Sequence, residues 1–417
     1  MIPAEDAHDG PPTAATLSRR RRLVPDFRGL PRPFWVLFAG TLVNRVAGFV
    51  IVFLAIYLTE VQGLTAVQAG AVISAYGVGA MGGGAFGGAV SDRVGRRPVL
   101  VLSLIGGGAS MLLLGLLTTT PAITGGALLT GLLYEMYRPV VSATIADVVT
   151  VEDRPRAYGL IYWAVNLGAS IAPLLGGVIA ASSYRALFVA DAATTALYGM
   201  IVLVALPETR PAAHPRSDGT AGAVRAVFGD PLLLAVCGLT FAFSIVFFQS
   251  FVGLPIDVRA HGLPALAFGA LIAINGLLIV FLQPFAGELT RHLSRYSTLA
   301  AASLLLGAGL GMNAWVGSFG GYAVSVTIWT LGEILFAPAS QSLVADLAPT
   351  PLRGAYQGAF ALAFTGAFAV APALGGYVLA HGGANWLWVA CLVTSMLVAA
   401  GFWSVGERVT QQHGMED

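Results

Sequence analysis

The chain has 417 residues, 56% hydrophobic and only 10% charged, with a mean hydropathy of +0.78. Soluble domains carry about 25% charged residues, so this composition excludes a water-soluble globule. The 22 basic and 21 acidic side chains nearly cancel to a formal net charge of +1, which excludes the basic excess of a nucleic-acid binder.

All the basic residues are Arg. A Walker-type phosphate loop and a pyridoxal Schiff base both require Lys, so neither is present. Cys237 and Cys391 fall inside apolar stretches and read as small buried hydrophobes. The six His residues (8, 214, 261, 292, 381 and 413) are scattered, with none paired at ligand spacing. The expectation is no metal site and no cofactor.

In chain order, residues 1–33 are polar, carry the run Arg19-Arg20-Arg21-Arg22 and end in Pro31 and Pro33. They read as a disordered tail with a basic anchor, because no small-residue cleavage site follows. Apolar runs of the ~20 residues needed to cross a bilayer then recur near 34–59, 65–90, 99–117, 122–149, 157–181 and 185–206. A second series follows near 231–256, 265–289, 298–316, 320–347, 354–380 and 385–405. Twelve crossings are expected.

With the N-terminus inside, eighteen of the 22 Arg residues lie on inner segments. Only Arg185 and Arg259 lie outside, while Arg45 and Arg138 fall within helices. This positive-inside bias puts both termini in the cytoplasm. The expected organisation is a tail over 1–33, a six-helix bundle over 34–206, a linker over 207–230, a second bundle over 231–405 and a tail over 406–417. The linker is rich in Pro, Gly, Ser and charge.

The two halves are copies of one another. At an offset of 199 residues, Asp147-to-Gly159 matches Asp346-to-Gly358, with Arg154 on Arg353. Pro139 matches Pro338, Pro173-x-x-Gly176-Gly177 matches Pro372-x-x-Gly375-Gly376, and Gly88 and Arg96 match Gly287 and Arg295. Two parallel repeats of this kind imply a transporter built about a pseudo-two-fold axis along the membrane normal.

After the second apolar segment the chain reads Gly88-x-x-x-Asp92-Arg93-x-Gly95-Arg96-Arg97. The string and its place between segments two and three resemble the loop signature of the major facilitator superfamily. The fifth segment, Gly159-x8-Gly168-x3-Ala172-Pro173-x2-Gly176-Gly177, resembles the helix-five motif of that family's drug:proton antiporter branch, the multidrug exporters, with Ala172 where Gly is usual. Small residues on one face also serve close helix packing, and the second copy around Pro372 supports that reading. Pro207-Glu208-Thr209-Arg210 resembles the superfamily as well.

The resemblance covers residues 34–405. It implies two pseudo-symmetric six-helix bundles in an all-α, twelve-helix membrane protein of the cell membrane, with helices one, four, seven and ten around a central cavity. The string Gly77-x-Gly79-x-x-Gly82 matches a dinucleotide fingerprint only in letters; without a preceding strand it reads as helix packing.

A charge at the bilayer centre costs about 2.5–3.5 kcal/mol, so the few present are informative. Arg45 lies mid-segment in the first helix beside Asn44. Glu135 and Arg138 share a face of the fourth, Glu333 lies in the tenth and Asp191 in the sixth. Arg138 stands where the family's helix-four motif has its Arg, although Pro139-Val140-Val141-Ser142 departs from the usual sequence.

The expected proton-coupling residues are Glu135 and Arg138, with Glu333 and Asp191 as second choices. Two readings of the first pair stand: a carrier whose protonation follows conformation and substrate, or a static ion pair that orients the helix. Expected cavity-lining groups are Asn44, Arg45, Tyr134, Tyr137, Trp163, Asn166, Phe247, Gln249, Asn275 and Trp329. Polar points among aromatic rings suit an amphipathic organic solute.

The expected inner latch joins Gly88, Asp92, Arg93, Gly95, Arg96 and Arg97 with Asp147 beside Arg154 and Asp346 beside Arg353; a topology anchor is the competing reading. No nucleophile–base constellation appears, so no enzyme is expected. The leading expectation is a monomeric, proton-coupled exporter of a small organic compound. An importer of an anionic or zwitterionic nutrient is the nearest rival, because Asn44-Arg45 stands where cation exporters often carry an acid.

Overall fold

The computed structural model describes residues 29–210, 220–290, 292–349 and 352–413. The run Arg19–Arg22, most of the tail expected over 1–33, the middle of the 207–230 linker, Arg291 and the last four residues of the C-terminal tail lie outside the described residues.

The described chain is α-helical. Its helices are α1 (Arg32–Val61), α2 (Ala66–Val94), α3 (Arg96–Leu114), α4 (Thr120–Glu135), α5 (Tyr137–Val148), α6 (Arg154–Ser182) and α7 (Tyr184–Ala205). A short α8 (Thr220–Gly229) precedes α9 (Pro231–Ala260), α10 (Ala265–Glu288), α11 (Arg295–Trp315), α12 (Phe319–Leu347), α13 (Arg353–Gly382) and α14 (Ala384–His413). Among the described residues, eleven of these are long and apolar enough to cross a membrane. Large apolar side chains stand fully on the outside, among them Val204, Trp315, Trp386 and Leu397, as a lipid-facing perimeter requires. The protein is a multi-pass membrane protein.

The stretch expected as a single fourth crossing is two helices meeting at Met136. The cause is Pro139, which has no N–H for the Glu135 carbonyl and whose ring crowds it. Two other helices are interrupted. α1 breaks at Ala47-Gly48-Phe49 between Val46 and Val50, where Gly48 is a poor helix former. α9 passes through a 3₁₀ turn at Phe248–Phe251 before resuming at Gly253, with Pro255 four residues beyond Phe251. By contrast, Pro173, Pro338 and Pro372 sit inside uninterrupted helices.

Helices from the two halves meet most extensively where α2 packs on α13 and α6 packs on α10, and α1 also touches α9. Each of the two larger contacts is a close approach of backbones made possible by Gly. A Cβ at Gly70 would lie 2.2 Å from the Pro372 carbonyl oxygen, and one at Gly269 would lie 2.2 Å from that of Pro173. Gly376 against Ala66 and Gly177 against Leu266 repeat the arrangement one turn on. These contacts lie toward the end of the molecule that carries Glu60.

At the opposite end, which carries Arg96, nothing lies within 4 Å of a Cβ built on Gly88, Gly159, Gly287 or Gly358. The apolar cores agree. The larger cluster runs through both halves, joining Phe53 and Ala172 to Phe268 and Trp388. A second cluster, including Phe34, Leu100, Ile145 and Tyr198, contains residues of the first half alone. The helices therefore close together at the Glu60 end and part toward the Arg96 end.

The Gly77/Gly79/Gly82 string is helix packing. A Cβ at Gly79 would be 2.0 Å from the Leu128 carbonyl, and Gly83 meets Leu132 in the same way.

Gly70→Val or Gly269→Val should open the seam at the Glu60 end, because overpacking of this kind costs about 1–3 kcal/mol. In a background lacking Cys237 and Cys391, Ser250→Cys, which faces the cavity, should then become reactive to an impermeant maleimide from that side. Unchanged labelling would show that the seam does not close the cavity.

Candidate functional site

Between the two sets of helices lies a cavity of about 490 Å³. One wall, from the first half, carries Arg45 (α1), Tyr76 (α2), Tyr134 and Glu135 (α4), Arg138 (α5), Asn166 (α6) and Asp191 (α7). The other, from the second half, carries Phe247, Phe248 and Phe251 (α9), Asn275 (α10), Trp329 and Glu333 (α12), and Phe364 and Phe368 (α13). A further cavity of about 350 Å³ shares Phe247, Glu333 and Phe364 and continues past Phe336, Gln341 and Gln357 toward the Arg96 end.

The charged wall is tightly wired. Arg138 Nε donates to Glu135 Oε2 at 2.7 Å, with the Arg138 side chain 56% exposed and that of Glu135 15%. Tyr76 Oη donates to Glu135 Oε1 at 3.3 Å. The two residues are i,i+3 neighbours across Met136, whose φ of −60° and ψ of −29° keep them on one face. On the other wall Asn275 Nδ2 donates to Glu333 Oε2 at 2.8 Å and to Thr330 Oγ1 at 3.0 Å.

Asp191 is 1% exposed and works on the break in α1. Its Oδ2 accepts the Val50 backbone N–H at 3.2 Å, and its Oδ1 accepts from Thr195 Oγ1 at 3.4 Å. Val50 begins a helix and has no intrahelical acceptor, so this carboxylate occupies the place of a cap. Arg45 lies just before the same break. Its Nη2 donates to Tyr137 Oη, its guanidinium sits 5.6 Å from the Tyr137 ring centroid, and Gly168 of α6 leaves room for its Cβ.

Four residues expected at the cavity line no part of it. Asn44 is fully buried within the first half, donating to Thr195 Oγ1 at 2.8 Å and accepting from Tyr134 Oη at 3.4 Å. Tyr137 is buried behind Arg45. Trp163 stacks on Phe38 of α1. Gln249 turns inward from the 3₁₀ turn, where its Nε2 reaches the Ala371 carbonyl at 2.9 Å and its Oε1 fills the space over Gly375. In each case a polar group in a helix found its partner in a neighbouring helix, which periodicity cannot register.

The loop at the Arg96 end is a compact junction. Gly95 has φ +120° and ends α2 while beginning α3, a conformation that favours Gly. Arg96 is 3% exposed and bridges Asp92 and Asp147, the latter at 3.0 Å, with Ser91 Oγ at 2.7 Å. Arg97 reaches the Leu203 carbonyl, and the Arg93 carbonyl accepts from Arg210.

Of the two acids expected to join this loop, Asp147 reaches it through Arg96, and Asp346 lies instead beside Arg295. Asp147 pairs with Arg96, while Arg154 donates to the Ala146 and Val149 carbonyls at the end of α5. Asp346 pairs with Arg295, and Arg353 is exposed. Each ion pair stays within its own half, because Arg96 and Arg295 enter beside the carboxylates while Arg154 and Arg353 begin the following helices.

Glu208 was read from the sequence only within the Pro207–Arg210 string, with no role of its own. It accepts the backbone N–H groups of Arg96, Arg97, Thr209 and Arg210 at 2.9–3.2 Å, so it caps α3 and ties that end to α7. A second missed feature is at the opposite end, where Glu60 of α1 pairs with Arg259 of α9, residues related by the 199-residue repeat. Tyr184 Oη also donates to Glu60, at 3.3 Å. The third is a buried carboxylate near that end. Asp257 Oδ2 accepts from Tyr322 Oη at 2.8 Å and Trp388 Nε1 at 2.9 Å, beside His261. Only contact across helices distinguishes these residues from topology anchors.

Burial opposes the ionisation of Glu208, but its four backbone donors outweigh that and hold the carboxyl below its ordinary 4.5. Its contribution is therefore complete above that value and is lost as pH falls through the lowered one. The thermal-melting advantage of wild type over Glu208→Gln should be constant near neutrality and vanish in acid. A margin that persists unchanged in acid would refute the cap. Asp191→Ala, which strands the Val50 N–H, should cost about 1–3 kcal/mol in the same assay. Asp191→Asn, which keeps an acceptor oxygen, should recover most of it.

The profile of the Major Facilitator Superfamily matches residues 37–367 and again 254–414. The chain is 26% identical to a Na(+), Li(+), K(+)/H(+) antiporter of Planococcus maritimus, over 92% of this chain and 94% of that protein. It is 25% identical to multidrug resistance protein MdtH of Escherichia coli, over 75% and 78% respectively. Among solved structures it resembles the nucleoside transporter NupG (TM-score 0.78, 14% identity, covering 90% of this chain and 100% of that one). It also resembles a D-xylose-proton symporter (TM-score 0.70, 18% identity, 89% and 96%). With a profile match along nearly the whole described chain and a shared fold, this protein is a member of the major facilitator superfamily and a secondary active transporter.

Proposed function

We propose that this transporter exports a small amphipathic organic compound across the cytoplasmic membrane in exchange for protons, by alternating access of the central cavity. In this reading α4 and α5 together form the twelfth crossing. Their 29 residues end to end span about 43 Å at 1.5 Å each, more than a hydrocarbon core of ~30 Å. Residues 34–206 and 231–405 are then two six-helix bundles with 207–230 as linker, both termini are cytoplasmic, and the monomer is the working unit.

The observation that carries the reading is that Glu135 and Glu333, one from each half, line a single cavity closed at the Glu60 end and open toward the Arg96 end. Carboxyl groups there can be exposed to each side in turn, which is what proton exchange requires. Glu135 is proposed as the carrier, Arg138 as its ion-pair partner, and Glu333 as the second carrier. Asp191 serves the α1 break. The aromatic second wall suits an organic body rather than a bare ion, and the likeness to MdtH supports export.

Import of an anionic or zwitterionic compound is the second reading. It is favoured by Arg45, which has no carboxylate within ion-pair distance among the described residues.

Substrate-loaded proteoliposomes with an imposed pH gradient test both. Wild type should drive solute against its gradient. Glu135→Gln should lose pH-driven accumulation while still equilibrating solute, and Glu333→Gln should lose part of it. Uphill movement by Glu135→Gln on a pH difference alone would sink Glu135 as carrier, and the direction of movement separates export from import.

A further inference from the structure

Among the described residues, two buried hydrogen-bond donors that belong to cavity residues are without an acceptor: Arg45 Nε from the first half and Trp329 Nε1 from the second. Trp329 is only 2% exposed. A buried N–H left unpaired costs about 1–3 kcal/mol, and a charged one costs more. An acceptor on a ligand in the cavity would relieve that cost.

The charges around Arg45 point the same way. Glu135 is engaged by Arg138 and Tyr76. Asp191 is engaged by Val50 and Thr195. Neither lies within 4 Å of the Arg45 guanidinium, whose one hydrogen-bond partner among the described residues is Tyr137 Oη. The guanidinium is thus a half-satisfied cation facing a cavity whose opposite wall is Phe247, Phe248, Phe251 and Phe368. Its position is firmly set: the Tyr137 ring lies beneath it, and its Cβ rests over Gly168.

We infer that the cavity takes amphipathic organic anions, the anionic group seated on Arg45 with Trp329 Nε1 as a second donor, and the apolar body against the aromatic wall. A planar carboxylate suits the guanidinium fork, and desolvation strengthens that pairing. The cavity of about 490 Å³ admits one such molecule of bicyclic aromatic size. This inference rests on the cavity being the transport site proposed above.

The experiment compares three probes of matched shape, 1-naphthoate, 1-naphthamide and 1-naphthylmethylammonium, by titration calorimetry on the purified full-length protein in nanodiscs. The carboxylate should bind wild type at least about tenfold more tightly than either partner, the factor that an ion pair of about 1.4 kcal/mol supplies. Arg45→Gln should erase that advantage, while Arg45→Lys should keep part of it. The wild-type ranking needs no variant to fold.

Equal binding of the three, tighter binding of the ammonium, no binding of any, or undiminished carboxylate binding by Arg45→Gln would each overturn the inference. The same probes in proteoliposomes keep the two proposals apart. Naphthoate held through Arg45 but never moved by a pH gradient would sink the coupling and leave the anion site standing. Proton-driven movement of the ammonium alone would do the reverse.

Discussion

The structure is governed by the cost of placing charge inside a membrane. An ionised side chain at the bilayer centre is unfavourable by several kcal/mol unless it meets water, a partner or a backbone dipole. Each of the mid-helix charges has found one of these. Glu135 has Arg138 and Tyr76, Glu333 has Asn275, Asp191 has the exposed N–H of a broken helix, and Arg45 has a tyrosine and the cavity. The break in α1 belongs to the same account, because it frees the Val50 N–H that Asp191 accepts.

The repeat carries a second constraint. Two copies of one six-helix pattern meet through equivalent backbone contacts, Gly70 on Pro372 and Gly269 on Pro173. Both copies also keep the same ion pair, Arg96 with Asp147 and Arg295 with Asp346. Equivalent positions can even pair with one another: Glu60 and Arg259 are repeat partners that join across the two halves. The scaffold is therefore close to symmetric at its ends.

The cavity is not symmetric. Charge is concentrated on the wall from the first half and aromatic rings on the wall from the second, with Glu333 as the acidic exception. A solute with one polar and one apolar end would meet a different surface on each side, and a change in the angle between the halves would alter both contacts at once. The junction around Gly95, Arg96 and Glu208 ties together the ends of α2, α3, α5 and α7.

The membrane character, the positions of the helices, the repeat and the family were legible in the chain itself, because each depends on composition or on spacing along one dimension. Hydropathy marks a crossing wherever it lies, and an offset of 199 survives any folding. Partner choice is different. Asn44, Tyr137, Trp163 and Gln249 carry the residue types of a cavity lining, yet they turn toward neighbouring helices. Asp147 and Asp346 pass over the nearby Arg154 and Arg353 for Arg96 and Arg295. Glu60–Arg259, Glu208 and the acceptor-free Arg45 Nε likewise exist only once helices distant in sequence are set side by side. A helix presents side chains all around its axis, and only packing decides which of them meets water, lipid or another charge.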